Sequence, residues 1–337
     1  MERNKKLTFK EASFHLRSRG VYSTLKNIFH LFETVNEFKP DLILVETPGL
    51  ITSIAILLKR IYKIPIVSRL KGDNWKAYLE IKQGMPLKEK IARYLNYRAG
   101  MILLRHAEAI LPISNHIANV INKNLKQKKP LYIVNIPFRK LDRPDKSEIC
   151  DVEAKFILTV TNFNFWDKIE PLIDKINKLS TILIENELTW VILGDGLFMD
   201  RFKGELKKEI SSNVVKLLGL KNPYSYYRKA LAMFYISGTD GLPNVLLESF
   251  YYKLPVIIDA QCPAAEFIQQ NKNGIIADFN DLQYVKTLIR NLKEDDNLRT
   301  ISETAHKYVV EQFSVENVSK QLEKALYNIM LDTKQNC

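Results

Sequence analysis

The sequence predicts an α/β protein of two Rossmann-like domains facing a central cleft, the N-terminal one shortened. Three observations lead there. The 337 residues exceed one ordinary core and suit two. Short apolar runs alternate with helix-length amphipathic stretches, the pattern of parallel strands joined by crossover helices. That alternation stops at a polar, aperiodic stretch, FRKLDRPDKSEICDV at 138–152, and then restarts.

In the first half, DLILV (41–45) follows a turn-like Lys-Pro and predicts a buried strand. A helix is expected over 50–62, a short strand over 65–68 and a basic amphipathic helix over 87–97, in a basic stretch that runs on to 106. AILP (109–112) predicts a strand. Ser114 is a cap for a helix running to about 124, and 131–134 a last strand. After the linker, strands are expected at 156–160, 189–193, 214–218, 233–236, 255–258 and 274–276. Helices are expected at 169–179, 224–230, 243–252, 282–292, 296–311 and 314–330. The domains are placed at 1–145 and 146–312, with 313–337 as a terminal helix. Open parallel sheets bind ligands at the carboxyl ends of their strands.

Composition excludes some classes. No segment reaches the ~18 uninterrupted apolar residues of a membrane span. The first 14 residues, MERNKKLTFKEASF, lack the apolar core of a signal peptide. Cys150, Cys262 and Cys337 are scattered and read as free thiols in a reducing compartment, and no zinc spacing is present. His15, His30, His106, His116 and His306 show no metal-ligand spacing either. A cytoplasmic location is expected. The net charge of +12 is uneven. Residues 1–150 hold 28 Lys and Arg against 13 Asp and Glu, whereas 151–337 hold 22 against 25. Such a basic half fits an anionic substrate, an anionic lipid surface or a plain solvated face. Nucleic acid is not expected, because no aromatic–basic recognition motif accompanies the charge.

The chemistry is concentrated in SGTDGLPNVLLESFYYKLPV (237–256). Pro243 suits the first turn of a helix, whose N-terminus presents free N–H groups and partial positive charge. With Gly241 permitting close backbone approach, that is a phosphate site. Asp240 lies just before the helix and Glu248 about one and a half turns inside it, a separation of roughly 8 Å along the axis. Two carboxylates so spaced suit a ligand with hydroxyls at both ends and a diphosphate between.

This string resembles the glycosyltransferase group 1 family (family 4), enzymes of GT-B fold. Its signature, an acidic residue, seven residues and Glu, is written here as Asp240 to Glu248. Asp240 stands where Glu is usual, and Lys253-Leu254-Pro255-Val256 lacks the usual glycine. The resemblance extends through 157–173, 190–196, 215–230, 262–278 and 313–329, and more loosely through 39–46, 64–73 and 107–121. It implies a retaining, metal-independent hexosyltransferase with no cofactor, a UDP- or GDP-sugar donor and a glycan or lipid-linked acceptor. Glu248 would hold the ribose and Asp240 the transferred sugar. Leu242, Pro243, Asn244, Gly241 and Lys168 would hold the diphosphate, and Gly219 would lie beside the base. The last helix would cross back to the N-terminal domain.

Departures are also visible. Asn162 occupies a position where relatives carry Arg, and Lys168 is displaced by about one residue. Relatives place His-Gly-Asp where this chain has Lys71-Gly72-Asp73 behind Arg69. Arg69, Lys71 and Asp73 are therefore candidate contacts for donor phosphate or an anionic acceptor. Only about 40 residues precede DLILV, with Gly20 the sole early glycine, so the first strand–helix unit is expected to be shortened or absent. The basic helix at 87–106 offers an anionic membrane surface a contact. Rival expectations are a non-catalytic glycosyltransferase-like subunit and a GT-B-type nucleotide-sugar epimerase.

Overall fold

A computed structural model of the chain describes residues 21–46, 48–50, 52–73, 87–141, 150–292 and 296–335. Gly20 and most of the 138–152 linker lie outside the described residues. The chain divides into two compact units. One takes in the chain to Ile113, 117–134 and 319–337, the other 114–116 and 135–318.

The N-terminal unit runs α1 (Val21–Phe38), β1 (Ile43–Glu46), α2 (Ile54–Tyr62), β2 (Ile66–Leu70), α3 (Leu87–His106), β3 (Ala109–Pro112) and α4 (Asn115–Asn124). Its described strands form one parallel sheet in the order β1-β2-β3. Strand β2 is buried along its whole length, as a central parallel strand must be. Leu103 of α3 and Ala107 just after it pack with Val45, Ala55 and Ile66 in one core cluster. Helix α2 starts four residues later than expected, because the hydroxyls of Thr52 and Ser53 fold back onto the Gly49 carbonyl at 3.1 and 2.7 Å. The strand expected at 131–134 is a single bridge, Ile110 to Leu131. Tyr132 and Val134 donate to the carbonyls of Ile110 and Pro112, but Pro112 has no N–H to return, so the ladder cannot continue.

The C-terminal unit runs β4 (Phe156–Val160), α5 (Trp166–Glu185), β5 (Thr189–Leu193), α6 (Met199–Glu205), α7 (Lys207–Ser211) and β6 (Val215–Leu217). It continues with α8 (Tyr224–Lys229), β7 (Met233–Tyr235), α9 (Asn244–Tyr251), β8 (Val256–Asp259), β9 (Ile275–Ala277), α10 (Leu282–Asn291), α11 (Asp296–Gln312) and α12 (Val315–Gln335). The last helix contributes its first turn to this unit and 319–335 to the other. All six strands are parallel, in the order β6-β5-β4-β7-β8-β9. Counted from β4, that order is 3-2-1-4-5-6, so the winding reverses between β4 and β7. The sheet's polar atoms are satisfied internally. Trp190 Nε1 donates to Thr159 Oγ1 at 3.0 Å, and that hydroxyl donates to the Phe234 carbonyl at 2.6 Å.

Helices α6 and α7 were not expected, although Met199, Phe202, Leu206 and Ile210 recur at helical spacing. Helix α5 begins at Trp166 and runs through Pro171, well beyond the expected 169–179.

Candidate functional site

The reversal between β4 and β7 makes a crevice at the carboxyl ends of those two strands, and the loops leaving them carry the predicted residues. The loop after β4 leads into α5, whose third residue is Lys168; the loop after β7 carries Asp240. The two side chains meet. Lys168 Nζ lies 2.8 Å from Asp240 Oδ2, with 11% and 23% of their side chains exposed. The same oxygen accepts the Tyr235 hydroxyl at 2.5 Å and the Ser237 hydroxyl at 3.0 Å. A cation in the first turn of a helix opposes the helix dipole, so Asp240 offsets a placement that would otherwise cost stability.

Glycine makes this contact possible. A Cβ on Gly238 would fall 2.6 Å from the Asp167 carbonyl oxygen. Pro171 has no N–H to give that carbonyl, and the Asp240 loop packs there. Gly194 (φ +134°) closes the neighbouring turn, where a Cβ would lie 1.7 Å from the Thr161 carbonyl oxygen.

Helix α9 begins at Asn244, with Pro243 as its N-cap in extended conformation rather than within the first turn. Residues 240–243 are not helical, so helical rise separates only Asn244 from Glu248, about one turn. Asn244 is exposed at the helix start, whereas Leu242 and Gly241 are buried in the preceding loop. Glu248 is half-buried and accepts the Tyr227 hydroxyl at 2.8 Å. Burial pushes its carboxyl above the usual range, and the Tyr227 bond pulls it part of the way back. Tyr227 is fully buried and stacks on Tyr252 with ring centroids 5.8 Å apart at 13°. Burial raises the Tyr227 and Tyr235 phenols well above 10, the neighbouring carboxylates adding to it, so both remain hydrogen-bond donors at neutral pH. Burial also lifts the nearby Cys262 thiol to about 12.

Asn162 sits on the loop after β4, and its side-chain oxygen accepts the Asn164 N–H at 3.4 Å. Gly219 follows β6, and its carbonyl accepts the Gly194 N–H at 2.8 Å. Arg69, Lys71 and Asp73 belong to the N-terminal unit. Registry places Arg69 beside Glu46, and both Arg69 (3.2 Å) and Lys71 pair with that carboxylate. Burial raises the Glu46 carboxyl, but Lys71 and Arg69 outweigh it and leave it below its ordinary value. The cations at 69 and 71 thus share one carboxylate the sequence did not single out, which leaves the trio with a net positive charge. Tyr227, Tyr235, Ser237 and Gly238 were not anticipated either. Among the described residues, no cluster of three or more His, Cys, Asp or Glu could hold a metal ion.

A parallel sheet in the order 3-2-1-4-5-6 is a Rossmann-like domain of the kind that the GT-B fold pairs with a second. Structural similarity agrees. Anabaena HepE, solved in complex with UDP, superposes with a TM-score of 0.67 at 15% identity, over 90% of this chain and 82% of that one. Residues 143–308 match the family described as Glycosyl transferases group 1. The chain belongs to that family and is a glycosyltransferase. Similar curated proteins are an N-acetylgalactosaminyltransferase of Campylobacter jejuni that acts on an N-acetylgalactosamine-N,N'-diacetylbacillosaminyl-diphospho-undecaprenol, and LpsE of Rhizobium meliloti, a lipopolysaccharide core biosynthesis glycosyltransferase. The first is 24% identical over 80% of this chain and 75% of its own length. The second is 24% identical over 68% and 67%.

Proposed function

We propose that the chain moves a hexose from a UDP- or GDP-sugar to a glycan or lipid-linked acceptor, with retention of anomeric configuration and without a metal ion or cofactor. The observation that carries this reading is the meeting of Lys168 and Asp240 at the sheet reversal, one loop ahead of Glu248 on α9. Glu248 accepts hydrogen bonds from the ribose, and Asp240 from hydroxyls of the transferred sugar. The α9 N-terminus, with Gly241 to Asn244, and Lys168 face the diphosphate and stabilise the charge that develops as it leaves. Gly219 lies beside the base, and Asn162 donates a neutral hydrogen bond. The UDP complex of HepE supports a uridine donor, and the diphospho-undecaprenol substrate of the Campylobacter relative supports a lipid-linked acceptor.

The acceptor side is the basic N-terminal unit. Leu87, Ile91, Tyr94, Leu95 and Ile102 are exposed on α3 at spacings of one helix face, among Lys88, Lys90, Arg93, Arg98 and Arg105. That composition fits a peripheral contact with the anionic inner face of a cell membrane. No described helix is long and apolar enough to cross one. Lys71 and Arg69, which pair with Glu46, are together with Asp73 the candidate contacts for an anionic acceptor or donor phosphate.

A thermal-shift screen against UDP-, GDP- and ADP-sugars, followed by transfer assays with and without EDTA, tests the reading. Donor-specific stabilisation and EDTA-resistant transfer are expected. A second reading, a non-catalytic glycosyltransferase-like subunit, is favoured by the uncharged Asn162 and by Lys71 in place of a titratable histidine. Failure of the purified chain to hydrolyse or transfer any bound donor would select it.

A further inference from the structure

The C-terminal unit has a cavity of about 270 Å³, lined by segment 138–141 and by Asn244, Leu247 and Glu248 of α9. The segment is fixed at both ends. The Phe138 N–H donates to the Phe313 carbonyl at 2.7 Å, and its ring stacks on Tyr251 at 4.5 Å. At the other end the Tyr252 hydroxyl donates to the Leu141 carbonyl at 3.3 Å. Between these anchors stand two exposed cations. Lys140 Nζ lies 6.0 Å over the Tyr251 ring. The other is Arg139, whose guanidinium offers a planar, two-pronged grip on a phosphate.

One cavity is thus lined by a hydroxyl acceptor, Glu248, by the first residue of a helix, Asn244, and by an arginine, Arg139. A ribose phosphate asks for that set. The charge of Lys168 is already shared with Asp240, and Asn162 brings none. A departing nucleoside diphosphate carries several negative charges and needs a further counter-charge. We infer that Arg139 is the phosphate-reading residue of this site, gripping a phosphate of the nucleoside diphosphate whose ribose Glu248 holds. The inference rests on the donor-site reading above and adds to it a residue from outside the acidic motif and its loops.

Isothermal titration of the full chain with UDP, UMP and uridine, and with GDP, GMP and guanosine, tests it on wild type, Arg139→Ala and Arg139→Lys. Loss of one charge-assisted phosphate contact weakens the preferred diphosphate by about 10- to 100-fold in Arg139→Ala. The bare nucleoside binds equally to wild type and variant, Arg139→Lys recovers part of the loss, and the ligand-free melting temperature stays unchanged because residue 139 is exposed. Unchanged diphosphate affinity in Arg139→Ala overturns the inference and leaves the donor site standing. An equal loss for nucleoside and diphosphate also overturns it, by showing a merely structural role. Absence of any nucleoside diphosphate binding by the wild-type chain overturns the donor-site reading and the inference with it.

Discussion

Replacing Asp240 with Asn asks whether the loop after β7 is built around one charged oxygen. Oδ2 takes the Lys168 ammonium at 2.8 Å and the hydroxyls of Tyr235 and Ser237 at 2.5 and 3.0 Å. An amide oxygen still accepts from both hydroxyls, so the substitution removes charge while keeping shape. Weakening two charge-assisted bonds to neutral ones costs about 1 kcal/mol. Stranding Lys168 costs more. Breaking a fully buried pair costs about 3–5 kcal/mol and an exposed one about 0–1. With side chains 11% and 23% exposed, this pair lies between them, at about 2 kcal/mol. The total, about 3 kcal/mol, lowers the melting temperature by roughly 6–12 °C for a domain of this size. A double-mutant cycle with Lys168→Met, read by chemical denaturation, isolates the pair and should give a coupling energy of about 1–2 kcal/mol. Additivity of the two substitutions within about 0.3 kcal/mol would refute the reasoning.

Three further outcomes follow from the same geometry. Because burial holds the Glu248 carboxyl above its ordinary value of 4.5, its ionised form is unfavourable in the fold. The stability it contributes is full below 4.5 and lost as pH rises through the folded value. Glu248→Gln should therefore melt higher than wild type at pH 7–8, the gap closing as pH falls, while donor binding is lost; calorimetry across pH checks this. Tyr227→Phe removes the bond that lowers the Glu248 carboxyl but keeps the stack on Tyr252. Nucleoside diphosphate affinity at neutral pH should fall about 10-fold and its acid limb should move to higher pH, and a pH-independent change would contradict the role given to the phenol. Gly238→Ala drives a Cβ to 2.6 Å from the Asp167 carbonyl, a backbone atom that cannot swing aside. Transfer should drop about 10-fold or more, with a stability loss of about 1–3 kcal/mol seen by denaturation.

The strands were the most legible part of the fold, because central parallel strands are continuous apolar runs. AILP, FILTV and TWVIL appear with the bounds the sequence gives them. Where reading failed, the cause was non-local or a matter of chain ends. Pro112 ended a ladder whose other strand lies some 20 residues on. Hydroxyls at 52 and 53 delayed α2. In the site, the spacing of Asp240 and Glu248 was visible because it is written on one loop and one helix. Tyr227, Tyr235 and Ser237 were not, since a tyrosine in an apolar run looks like core until its hydroxyl is seen to reach a carboxylate. Glu46 stands 23 and 25 residues before the cations it pairs with, and only the β1–β2 register brings them together. Segment 138–141, aperiodic in sequence, proved to be a cavity wall.

Sugar transfer by the purified chain, with the anomeric configuration of the product assigned by NMR, tests the donor-site account most directly. Wild type should convert its UDP- or GDP-sugar to a product of unchanged configuration in the presence of EDTA, Glu248→Ala should nearly abolish turnover, and Asp240→Asn should cut it severely. Full turnover by Glu248→Ala would contradict the assignment of the Asp240–Glu248 segment as the donor site.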